Sequence, residues 1–187
     1  MNGQDQSGVS ASPTTVERRK VPGEANGWRW LPVTLGVILL DQATKAWMVQ
    51  HFRLYESVHV LPVLDITLMF NTGAAFSFLS DASGWQKWLF VGLALMVGLA
   101  ILGWLRRLRA RSQALLCSSL TLILGGALGN VIDRLRIGHV VDFISAHWDR
   151  TYYFPAFNVA DSAITVGAIL LLLDAWRESR NAKKVGV

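Results

Sequence analysis

Four long apolar runs constrain this chain more than any other feature. They cover roughly Trp30–Val49, Trp88–Trp104, Ala114–Ile132 and Phe157–Trp176. A helix needs about 20 mostly apolar residues to cross the hydrocarbon core of a bilayer. The second and fourth runs meet that need throughout, whereas the first and third turn polar at one end. A mean hydropathy of +0.35 over 187 residues is too high for an ordinary soluble domain. The expectation is therefore an all-α membrane protein with four transmembrane helices.

The charges orient those spans. Four cationic residues precede the first run (Arg18, Arg19, Lys20, Arg29) and four join the second to the third (Arg106, Arg107, Arg109, Arg111). Another four follow the last (Arg177, Arg180, Lys183, Lys184). In a four-span chain all of these fall on one side, which the positive-inside rule makes the cytoplasm. Both termini then lie inside, and the connections at about 50–87 and 133–156 face outward. The same distribution explains the net charge of +5 through contact with anionic membrane lipids, with no nucleic-acid partner.

Residues 1–27 are rich in Gly, Ser, Thr, Gln and Pro and read as a disordered cytoplasmic tail. The first apolar run has no A-x-A-like cleavage site after it, so it reads as a retained span rather than a signal peptide. The expected organisation is a tail over 1–27, a four-helix membrane domain over 28–178 and a cytoplasmic tail over 179–187. Within the first outward connection, Val58–Phe70 is β-branched and apolar and suggests short strands, and Asn71–Ala75 reads as a turn. Phe76–Leu79 is a further candidate strand or interfacial segment. Trp148, Tyr152, Tyr153 and Phe154 suit the membrane–water interface.

Two aspartates point to chemistry. Asp142 lies in Gly138-His-Val-Val-Asp-Phe-Ile144, and Asp161 lies in Phe157-Asn-Val-Ala-Asp161, where the last apolar run begins. A carboxylate at a membrane usually faces a cavity or a partner and marks function. Two carboxyls sharing one site do not both ionise easily, so one keeps its proton at neutral pH. An acid beside a base is the equipment for splitting an amide with water. Asn158 as N-cap would put Asp161 in the first helical turn, in a capping box.

Other polar residues have competing readings. Asp41 and Lys45 share a helix face, either as a scaffold for the site or as an interfacial ion pair with Lys45 snorkelling outward. Spacing alone slightly favours the second. Gly125 and Gly129 form a small-xxx-small pair that lets another helix approach closely. Asn130 and Arg134 lie one turn apart and could grip peptide carbonyls, or bond between helices. Asp133 reads as a local partner of Arg134. Cys117, the single cysteine, reads as a packing residue. The four histidines (His51, His59, His139, His147) show no metal spacing, so no metal is expected.

Five blocks then occur in order: Asp41-Gln-Ala-Thr-Lys45, Asn71-Thr-Gly-Ala-Ala-Phe76, Gly129-Asn-Val-Ile-Asp-Arg134, Val140-Val-Asp-Phe143 and Phe157-Asn-Val-Ala-Asp161. Together they resemble lipoprotein signal peptidase (signal peptidase II), a family of bacterial inner-membrane aspartic peptidases. The resemblance covers about Trp30–Trp176. It implies that Asp142 and Asp161 are the catalytic dyad. It also implies that Asp41, Lys45, Asn71, Gly73, Asn130, Arg134 and Asn158 shape the site or contact substrate and inhibitor. The implied substrate is a diacylglyceryl-modified prolipoprotein, cut just before its lipidated cysteine, and globomycin is the implied inhibitor. Four transmembrane helices, a small β-cradle from the first outward loop and a short periplasmic helix are implied as well. No cofactor is implied, and a monomer is expected, with its active site near the periplasmic face. A proton-coupled transporter and a non-catalytic membrane adaptor are the rival readings; a transporter would hold its acids deep within the spans.

Overall fold

The computed structural model describes residues 24–73, 84–149 and 151–185. Its long helices are α1 (Leu31–His51), α2 (Trp85–Arg107), α3 (Ala114–Ile137) and α4 (Val159–Val185). Four strands, β1 (Ser57–Leu61), β2 (Leu64–Asn71), β3 (Val140–Trp148) and β4 (Tyr152–Tyr153), form one antiparallel sheet in the order β1-β2-β3-β4. Among the described residues, α2, α3 and α4 are long and apolar enough to cross a membrane. The fold is thus a membrane-protein fold of apolar helices with a small sheet at one end.

The helix bounds follow local chemistry. Pro32 sits in the first turn of α1, where its missing N–H removes no helical bond. Gly138 ends α3 at φ 84°, a left-handed conformation that costs a glycine little. That cap turns the chain directly into β3. Strands β1 and β2 arise where Val58–Phe70 predicts them. The sheet is larger than a cradle from the first connection alone, because the second connection supplies β3 and β4. The all-α expectation is corrected to that extent. No short helix occurs in the connections at about 50–87 and 133–156 among the described residues. Residues 74–83, including the candidate segment Phe76–Leu79, lie outside them.

The described residues reach into both flanking segments. Residues 1–23 lie outside the described residues, but 24–27 are fixed in place. Glu24 Oε1 accepts from Arg111 N and Ser112 N at 2.9 Å each, and Gly27 N donates to Leu108 O at 3.1 Å. A short 3-10 turn over Gly27–Trp30 follows, and the Trp30 indole N–H donates to Ala110 O at 2.9 Å. At the other end α4 continues as helix to Val185.

Helix α3 is the central element. In its most apolar 18-residue window 61% is buried, against 22% in α2 and 17% in α4. At its first half Leu116, Cys117, Leu120 and Leu124 pack with Ile101 and Leu105 of α2. Its glycines admit the other helices. A methyl group on Gly125 would lie 2.8 Å from Val37 Cβ of α1, and one on Gly129 would lie 2.7 Å from Asp41 Oδ2. On Gly126 it would run into the Ala160 carbonyl oxygen of α4. The small-residue stripe therefore seats α1 on one side and α4 on the other.

This packing predicts a position-specific cost. Gly126→Ala should destabilise the protein in mild detergent by about 1–3 kcal/mol, the usual range for overpacking. Gly36→Ala, where an added methyl meets nothing within 4 Å, should be neutral or gain up to about 1 kcal/mol of helix propensity. Denaturant unfolding of both variants checks this, and equal effects would refute close packing at Gly126.

Candidate active site

The sheet and the helix ends bring the two aspartates together. Asp142 lies on β3, opposite Met69 of β2, and is 2% exposed. Its Oδ1 accepts from Asn158 Nδ2 at 2.7 Å and its Oδ2 from Asn71 Nδ2 at 2.9 Å. Asn71 ends β2, and its own Oδ1 accepts from Gly73 N at 2.8 Å, closing a tight turn. Gly73 is at φ 112°, a backbone that glycine tolerates and L side chains rarely adopt.

Asp161 lies in the first turn of α4. Asn158 and Asp161 form the reciprocal bonds of a capping box: Asp161 N donates to Asn158 Oδ1 at 2.9 Å, and Asn158 N donates to Asp161 Oδ2 at 3.3 Å. Asp161 Oδ1 also accepts from Asn130 Nδ2 of α3 at 2.7 Å. Asn158 is fully buried and joins the two acids, since its Nδ2 reaches Asp142 while its Oδ1 caps the turn holding Asp161.

Burial pushes the Asp142 carboxyl up to about 6, and the nearby Asp161 charge adds to the rise. The amide donors of Asn71 and Asn158, with Lys45 beyond them, pull the other way. Burial disfavours the ionised form because water no longer solvates it. Asp142 can therefore exchange a proton close to neutral pH.

Beneath the pair lies a buried ionic cluster. Lys45 Nζ lies 2.8 Å from Asp41 Oδ2, 2.8 Å from Asp133 Oδ2 and 3.0 Å from Asn130 Oδ1. Lys45 is 3% exposed, so the snorkelling interpretation is overturned: three inward acceptors outweigh the reach to water. Asp133 is corrected too. It partners Lys45, Gln42 Nε2 at 2.8 Å and Val141 N at 3.2 Å. Adjacent helical residues diverge by about 100°, so sequence neighbours such as Asp133 and Arg134 need not meet. Arg134 instead donates to Asn130 O at 3.3 Å and stacks over Phe90, 5.0 Å from its ring centre. Asp41 Oδ1 accepts from Ala160 N at 2.9 Å, tying α1 to the start of α4.

All nine residues singled out from the sequence thus fall in one connected region, with Arg134 and Gly73 at its edge. Sequence reading missed Asp133 and Gln42 as members. Their signal was spacing: Asp133 is one turn after Asn130, and Gln42 follows Asp41 on a helix already carrying Lys45. The histidines are corrected as well. His59 and His147, set aside for lack of local spacing, both meet Asp65 across the sheet.

The chain is similar to known proteins over most of its length. A profile described as signal peptidase (SPase) II matches residues 33–177. The lipoprotein signal peptidase of Pseudomonas aeruginosa is 50% identical over 155 residues, covering 82% of this chain and 91% of that protein. That of Pseudomonas putida is 49% identical over 157 residues, covering 83% and 91%. A solved bacterial membrane enzyme, determined in meso at 2.3 Å resolution, superposes with a TM-score of 0.71 at 30% identity, covering 82% of this chain and 90% of that one. With the family profile spanning most of the chain and half of the residues shared with these relatives, the chain belongs to the signal peptidase II family of aspartic peptidases.

Proposed function

We propose that this enzyme removes the signal peptide from diacylglyceryl-modified prolipoproteins, cutting just before the lipidated cysteine. The observation that carries the reading is the junction at Asn158, which joins the buried Asp142 and the half-buried Asp161 in one hydrogen-bonded site. The relatives' name, lipoprotein signal peptidase, supports the substrate class.

In the proposed mechanism the ionised aspartate takes a proton from water. The water oxygen attacks the scissile carbonyl carbon while the protonated aspartate donates to the carbonyl oxygen. The C–N bond then breaks, and a proton passes to the leaving amine. Asn71, Asn130 and Asn158 donate to the carboxylates without adding charge, which fixes the oxygens and leaves their proton affinity adjustable. Asp41 and Lys45 act from beneath by holding Asn130 and the start of α4. Gly73 and Arg134 border the site where substrate or a globomycin-type inhibitor would lie.

We further propose that α1 is a fourth span. Its charged residues are buried against α3 and α4, while Leu35, Leu39, Leu40 and Trp47 are exposed on the other side, as lipid contact requires. With both termini cytoplasmic, the sheet and the dyad lie near the periplasmic face of a bacterial inner membrane. The exposed Trp148, Tyr152, Tyr153 and Phe154 suit the interface there. Substrate enters laterally, since its signal helix and acyl chains already lie in the bilayer.

The direct test is a gel-shift assay with purified enzyme and a diacylglyceryl-modified prolipoprotein. Wild type should release the signal peptide, and folded Asp142→Asn and Asp161→Asn should each lose about 10²–10⁴-fold or more in rate. Near-normal turnover by either variant would refute the dyad.

The Asp142 carboxyl also predicts a stability signature. Unfolded aspartate titrates near ~3.9, and folded Asp142 near about 6. Between those values the folded chain holds more protons, so stability falls as pH rises from about 4 to 6 and then levels. The full penalty above that window is on the order of 3 kcal/mol. Asp142→Asn escapes it but offers one acceptor oxygen to two donors. The melting temperature of the variant minus that of wild type should be most positive above pH 7. It should shrink or reverse toward pH 4. A difference independent of pH would show that Asp142 is not held in its protonated direction by burial.

A further inference from the structure

The sheet assembles a second cluster on the face opposite the dyad. His59 of β1 stands directly across from Asp65 of β2, and Asp65 stands across from Ser145 of β3. Two residues on, and therefore on the same face, β3 carries His147. His59 Nδ1 lies 2.7 Å from Asp65 Oδ1, and His147 Nε2 lies 3.4 Å from the same oxygen. One ligand atom from each of the three residues falls within 4.8 Å of the others. Asp142 and His147 are five residues apart on β3, so they point to opposite faces and are separated by roughly 17 Å along the strand.

We propose that His59, Asp65 and His147 form a transition-metal site, best matched to Zn²⁺, that staples β1, β2 and β3 together. Two imidazoles and one carboxylate are a donor set that suits zinc, whereas calcium and magnesium take oxygen ligands. Zinc bonds of about 2.0–2.1 Å in a tetrahedron hold neighbouring ligand atoms roughly 3.3 Å apart. The 2.7 and 3.4 Å separations bracket that spacing, so a small rotation of one ring opens the site. His59 can supply it, because its side chain is 43% exposed, while that of His147 is fully buried and that of Asp65 is 9% exposed. The exposed edge at His59 also gives an ion its entry path, with water as the fourth ligand.

The buried half of the site is already held in position. His147 N donates to Val63 O at 2.9 Å, which fixes the β1–β2 turn against β3, and the Tyr153 ring packs 5.2 Å from the His147 ring. Strand β1 gains most from a staple: all five of its residues are exposed, and among the described residues it borders the sheet with β2 as its strand neighbour. The three ligands are contributed by three strands, so binding would couple the outer hairpin to the strand that carries Asp142. The site is independent of the catalytic proposal.

The test uses the full chain without a polyhistidine tag, stripped with a chelator and held in detergent micelles. Zn²⁺ is titrated against a chromophoric competitor, and thermal unfolding is followed with Zn²⁺, Mg²⁺ or Ca²⁺. One equivalent should bind per chain, and Zn²⁺ alone should raise the melting temperature. His59→Ala and Asp65→Asn should weaken binding more than about tenfold, the loss that even outer-shell partners cause. His51→Ala and His139→Ala should bind as wild type does. His59→Ala alters an exposed side chain, so it remains decisive if variants at buried positions misfold. Absence of saturable binding at one equivalent, or binding untouched by His59→Ala, would overturn the site.

Discussion

A single buried ammonium holds the membrane end of this site together. Lys45 meets two carboxylates and one carboxamide within 3.0 Å, with almost no access to water. An unpaired charge there would be prohibitively expensive, and removing one partner of a buried pair strands the other. Each acid it engages is bonded onward to backbone: Asp41 accepts from Ala160 N at the start of α4, and Asp133 from Val141 N beside Asp142. The charge cluster therefore fixes where α4 begins and where β3 leaves α3. Those two points carry the aspartates.

The aspartates themselves are held differently. Their side-chain partners are the carboxamides of Asn71, Asn130 and Asn158, which are neutral donors. A cation bonded directly to either acid would lock it in the ionised form, and the pair would lose its acid. Neutral donors fix geometry while burial and mutual repulsion keep a proton within reach, as the upward displacement of Asp142 to about 6 reflects. Placing the ammonium one layer below, bonded to Asn130 rather than to the dyad, separates the demands of stability from those of proton transfer.

The helices were legible because apolar runs of this length carry their own signal. The capping box at Asn158 was legible for the same reason, being local in sequence. Strand β3 was not. Val140 to Phe143 are all buried, so the alternation that marks a half-exposed strand is missing. The Lys45 cluster was half legible: Asp41 and Lys45 share a helix turn, but Asp133 comes from another helix 88 positions on, and its neighbour Arg134 was the misleading local choice. The His59–Asp65–His147 cluster depends wholly on strand register, which no motif of local spacing encodes.

The glycines of α3 and the polar network are one feature. An Asp side chain is short, and Asp41 reaches the α3–α4 contact only because α1 lies unusually near α3 at Gly129. A methyl there would sit 2.7 Å from the Asp41 carboxylate, in the space the acid occupies. Gly126 does the same for α4, bringing Ala160 close enough for its N–H to reach Asp41 Oδ1 at 2.9 Å. Larger residues on this stripe would push the helices apart and stretch the bonds that position Asn130 and Asn158. Close helix packing in lipid is ordinarily a matter of van der Waals contact. In this chain it also sets the distance across which the buried Asp142 and the half-buried Asp161 can be held in one hydrogen-bonded site.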